Sequence, residues 1–119
     1  VMTSAPFKVV NESHWAMEGT GLRNGDLFGH ESLHMRCPGG ASGHETDKIS
    51  PSSPPHVEMF AKGMNVDNGG AELVHYSTRS GGAVFSAGSI TWPASILVDA
   101  SVSRITANVL NRFLSDDTK

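Results

Sequence analysis

The clearest pattern lies near the end of the chain, where Val102, Ile105, Val109, Leu110, Phe113 and Leu114 recur at helical spacing and Arg104, Asn108, Asn111 and Arg112 take the other side. An amphipathic helix follows. Asp99 or Ser101 can cap its exposed amides, and Arg112 suits the negative end of its dipole. Upstream, Val57 to Lys62 alternates partly and ends at Gly63, and the turn residues Asn65, Asp67, Asn68, Gly69 and Gly70 come next. Glu72 to Thr78 is rich in β-formers, and Ser80-Gly81-Gly82 folds it back onto Ala83 to Ile90 as a hairpin. Both faces of that last strand are small or apolar, which predicts a strand covered on both sides. Strand, hairpin and long final helix together read as the closing segment of a doubly wound, layered α/β domain.

The first half differs. Phe7 to Val10 is a short strand candidate, but Gly19, Gly21, Gly25 and Gly29 then interrupt the chain too often for a long helix. Three prolines between Pro51 and Pro55 forbid helix and remove ladder donors. Residues 1–56 therefore read as a loop-dominated half and residues 57–119 as strands plus helix, within one domain or part of one.

Size and charge narrow the function classes. At 119 residues the chain can hold a single core, and a net charge of -3 without a basic block leaves no footprint for nucleic acid or an anionic membrane. Cys37 is the only cysteine, so no intrachain disulfide can form and a reducing cytoplasm fits best. The apolar runs are a few residues long, too short to span a bilayer as a helix.

Several segments carry candidate chemistry. His30-Glu31-Ser32-Leu33-His34 matches the H-E-x-x-H zinc pattern, in which two histidines one helical turn apart hold the metal and the glutamate activates water. That chemistry requires a rigid helix, whereas Gly29 precedes the segment and Cys37-Pro38-Gly39-Gly40 closes it. His75, inside a strand, is expected to be hydrogen-bonded and structural, and Cys37 to be a buried, inert thiol. The small residues of Gly39-Gly40-Ala41-Ser42-Gly43 permit close backbone approach and deliver His44, Glu45 and Asp47 together at the end of a loop. A carboxylate placed there can serve as a general base if burial raises its pKa.

Three segments in order, Arg36 to Asp47, Gly81 to Trp92 and Val102 to Leu110, make the sequence resemble the C-terminal part of the N,N-dimethylformamidase large-subunit family. The likeness runs from about His14 to Leu114. It implies a segment of a layered fold similar to class I glutamine amidotransferases. It also implies metal-assisted hydrolysis of a small amide, with an iron held by two tyrosines and a glutamate upstream of the segments seen here. Glu45 and Glu18 both sit in matching segments and are the candidate supporting acids, Glu45 preferred, with His44 or Asp47 tuning its charge. The resemblance further implies that the chain is inactive alone and joins the remaining large-subunit chain or another subunit in an oligomer. Two other readings stay open: a non-catalytic structural or interaction module, and a minimal zinc hydrolase built on His30, Glu31 and His34.

Overall fold

The structure is a computed structural model that describes residues 4–115. Seven strands are present: β1 (Ser4–Ala5), β2 (Phe7–Val9), β3 (Leu27–Phe28), β4 (Ser42–Gly43), β5 (Glu58–Gly63), β6 (Glu72–Ser77) and β7 (Ala83–Ser86), followed by one helix, α1 (Ala100–Leu114). The strands form two antiparallel sheets, β1-β4 and β3-β2-β5-β6-β7, and with α1 they make an α/β domain. Every strand pair in it is antiparallel. The doubly wound expectation anticipates parallel pairs, but β5, β6 and β7 are joined by turns too short for a crossover.

The β6-β7 hairpin forms as its turn residues require, pairing His75 with Phe85 and Ser77 with Ala83. Its second strand is shorter than the apolar run suggests. Gly88 turns the chain at φ +63°, so the ladder stops at Ser86. Nor is β7 the buried strand that its composition predicts. It is the edge of the five-stranded sheet, and all four of its residues are half-exposed.

The core lies between the sheet and α1. Phe7, Val9, Phe60, Leu73, Val102 and Ile105 are essentially inaccessible, and Trp92 packs edge-on against Phe7 with ring centroids 5.5 Å apart. Each fully buried aliphatic or aromatic side chain contributes about 1.5–3 kcal/mol relative to exposure. Helix α1 begins at Asp99, whose Oδ1 accepts the amides of Ser101 and Val102 at 3.1 Å. It buries Val102, Ile105 and Val109, but Leu110 and Leu114 on the flank of the predicted stripe remain 57% and 85% exposed. One sheet covers only part of that stripe.

A β-bulge interrupts β5 between Met59 and Ala61. The carbonyl of Phe60 there accepts two amides, from Val10 at 3.0 Å and Asn11 at 3.2 Å. Among the described residues, no helix is long and apolar enough to cross a membrane.

Candidate functional site

Ionisable side chains from three separate stretches of chain converge at one end of β5. Glu58 lies opposite His75 of β6, so the ladder turns both side chains to one face, and His75 Nδ1 comes within 3.1 Å of Glu58 Oε1. His14 arrives from the loop after β2. Its ring stacks on Phe60 with centroids 4.5 Å apart, which points Nε2 to 3.6 Å from the same carboxylate oxygen. The other ring nitrogen, Nδ1, accepts the Ala16 amide at 3.1 Å and caps the 3-10 turn Trp15–Met17. A neutral His14 therefore carries its proton on Nε2.

That N–H is buried and has no hydrogen-bond partner. Burial holds the His14 pKa below its ordinary value. The Glu58 carboxylate opposes this shift, while His75 and Arg112 reinforce it. The ring is accordingly neutral at pH 7. Trp15 closes the cluster, edge-on to His75 at 5.1 Å and covered in turn by the Arg112 guanidinium at 5.1 Å.

The glycine-rich loop forms a second, separate framework. Gly39 and Gly40 adopt φ +130° and +152° and pass so close to β1 that a Cβ at Gly39 would lie 2.9 Å from the Ser4 carbonyl oxygen. Ser89 fastens the far end. Its Oγ accepts the Gly43 amide at 2.9 Å and the Thr91 amide at 3.2 Å, and donates to the Ala41 carbonyl at 2.8 Å. Ser89→Ala strands those two amides and that carbonyl. The expected loss is about 1–3 kcal/mol of stability, seen as a lower urea midpoint at unchanged slope.

Within this framework Cys37 is buried, as expected of an inert thiol, with Sγ 3.5 Å from His44 Nδ1. His34 Nδ1 accepts the amides of Cys37 at 2.9 Å and Arg36 at 3.2 Å. His44 holds the left-handed region at φ +71°, uncommon for a residue with a side chain, and turns its ring back toward the thiol. The Glu45 and Asp47 side chains are exposed, and the Glu45 carboxylate makes no hydrogen bond among the described residues.

Glu18 lies elsewhere. It is exposed at the rim of a groove of about 230 Å³ that it shares with Trp15, Asn108, Asn111 and Arg112. Its carbonyl accepts Asn108 Nδ2 at 2.7 Å and Arg104 Nε at 3.2 Å, fixing the segment to α1. No hydrogen bond or ring contact joins Glu18 to Glu45 or His44 among the described residues. His30 and Glu31 are exposed, and residues 29–34 form no helical turn that would bring His30 and His34 onto one face. Tyr76, the only tyrosine in the sequence, stands in β6 with its ring near His56 at 6.2 Å. One tyrosine in that place does not fit an iron centre held by two.

From the sequence, His75 is expected to be hydrogen-bonded and structural, and it does pair with Glu58, whereas His14 and Glu58 carry no expectation there. Positions 14, 58 and 75 share no local spacing. The signal that could have joined two of them is the turn at residues 65–70, which reflects residue 58 onto residue 75 across a hairpin.

Comparison with known proteins adds an independent line. The beta subunit of N,N-dimethylformamidase from Paracoccus aminophilus is 30% identical over 87% of this chain, and that from Alcaligenes sp is 29% identical over the same share. The chain spans 16% of the length of each. The family described as "N,N-dimethylformamidase beta subunit-like, C-terminal" matches residues 1–104, which includes both β-sheets and the first part of α1. The chain belongs to that family.

Proposed function

We propose that this chain serves as the C-terminal part of the large subunit of an amidohydrolase of the N,N-dimethylformamidase type, acting on a small amide. The observation that carries this reading is the ordered match to the beta subunits over 87% of the chain. Two open surfaces are consistent with a chain that works inside a larger assembly: the half-exposed edge strand β7, and the flank of α1 bearing Leu110 and Leu114. In this reading the remaining large-subunit chain or another subunit completes a layered fold of the class I glutamine amidotransferase kind. It also supplies whatever metal ligands the reaction uses.

The chain's own contribution is an acid on a rigid loop. Hydrolysis of an amide requires water to lose a proton as it attacks, and the departing amine to gain one. Glu45 stands free at the end of a segment pinned by Gly39, Gly40 and Ser89. Docking of the partner surface over the loop would take the carboxylate out of bulk water and set it against the attacking water. Its protonated form could then return the proton to the amine. His44, held by Cys37, orients the loop and sets the charge beside Glu45. Glu18, facing the groove at α1, is the second candidate for the same task.

Reconstitution tests the reading. The purified chain alone is expected to release no formate from a small formamide, whereas its combination with the upstream remainder of the large subunit is expected to turn over. Equal turnover by the upstream remainder without this chain would make the chain a non-catalytic module.

A further inference from the structure

We propose that His14, Glu58 and His75 form a zinc-binding site. The three offer two imidazole nitrogens and a carboxylate oxygen, all within 4.8 Å of one another, and they are the one such group among the described residues. Two imidazoles and a carboxylate form a borderline donor set suited to Zn²⁺. Glu58 Oε1 is 3.1 Å from His75 Nδ1 and 3.6 Å from His14 Nε2. These separations bracket the edge of about 3.4 Å expected of a tetrahedron with zinc bonds of about 2.0–2.1 Å.

Two further observations point to an ion. The His14 and His75 side chains are only 2% and 11% accessible, and both are fixed by their surroundings: His14 by stacking on Phe60, His75 by the β6 ladder. His14 Nε2 is also buried without a partner, although it aims at the carboxylate. Buried polar atoms without partners are rare in native proteins, and with its proton moved to Nδ1 the Nε2 lone pair would have an ion held between it and Oε1 as its partner. The Glu58 side chain is 54% accessible, so water can reach the carboxylate and could fill the fourth position.

The His14 cap sets a specific consequence. Zinc at Nε2 moves the ring proton to Nδ1, where it meets the Ala16 amide that Nδ1 now accepts. That capping bond is given up when the metal binds, which reduces affinity by about tenfold. The turn Trp15–Met17 should therefore report occupancy. The positive charge of Arg112, beyond Trp15, reaches the site and weakens binding; Glu58 supplies the compensating negative charge.

The site differs from the H-E-x-x-H pattern in every residue, and its test separates the two. Zn²⁺ is titrated into the metal-free chain against a chromophoric chelator, and the amide spectrum of Ala16 is followed by NMR. Binding of one ion per chain at about micromolar affinity or tighter is expected, with a shifted Ala16 amide. Glu58→Gln and His75→Asn should each weaken binding about 100-fold or more. His30→Ala and His34→Ala should leave it unchanged. Glu58 is half-exposed, so its Gln variant should keep the fold, and circular dichroism confirms this. Absence of zinc binding by the folded chain, full affinity in Glu58→Gln, or loss of binding in His34→Ala would each overturn the assignment.

Discussion

Glu45→Gln, introduced into the large subunit and assayed in the reassembled enzyme, is expected to lower turnover by about 10²–10⁴-fold, the usual contribution of a positioned general base. The substitution changes almost nothing else. The Glu45 side chain is exposed and makes no hydrogen bond within the chain, so neither the loop nor the core depends on it for stability. The loop geometry is set by the close passage of Gly39 and Gly40 against β1, by the Ser89 hydroxyl and by the bridge from Thr46 to Ser89. Glutamine keeps the shape and removes the proton acceptor. The metal content of the assembly should stay the same, because in the proposed reading the metal ligands lie in the remaining chain. Turnover within twofold of the parent would remove Glu45 from the reaction, and the same measurement on Glu18→Gln then decides whether the acid at the α1 groove takes that role.

Phe60→Ala should destabilise the fold by about 3–5 kcal/mol, the range for truncating a buried aromatic ring. Marginal stability for a domain is about 5–15 kcal/mol, so the variant loses a large share of what it has. Phe60 is fully buried at the centre of the sheet, stacked on His14 at 4.5 Å and near Phe85 at 6.0 Å. Its removal opens a cavity and also frees the His14 ring from the surface that orients it. Denaturant unfolding of the two proteins measures the first effect. A loss below about 1 kcal/mol would mean that neighbouring side chains collapse into the space.

Elements whose signals are local were legible in the sequence. Helix α1 shows in its 3.6-residue spacing, the β6-β7 hairpin in Ser80-Gly81-Gly82, and the strand before the turn at 65–70 in its alternation. What failed were inferences about neighbours. The small apolar faces of residues 83–90 suggest cover on both sides, but cover depends on which layers pack over those faces, and the β7 side chains are half-exposed. The apolar flank at Leu110 and Leu114 belongs to the same helical stripe as the core residues, but it lies outside the part that is buried. At the candidate sites, the glycine-rich loop could be seen because its residues are contiguous. The His14, Glu58 and His75 cluster could not, because it depends on a ladder register and on a loop returning to the sheet. The family resemblance was legible through segments in order, and the matched family model confirms it over residues 1–104.

The bulge at Phe60 lets the two ends of β5 keep different rhythms. Glu58 and Ala61, three residues apart rather than two, both face partners on the same side of β6, His75 and Leu73. Deleting Phe60 would leave Glu58 and Ala61 two residues apart in an unbroken ladder, with the carboxylate still opposite His75, and would remove the ring on which His14 stacks. Point substitutions near Met59 would leave this phase intact. The deletion of Phe60 would thus part the pair from the third member: Glu58 and His75 would stay together on the sheet, and His14 would lose the surface that brings it to them.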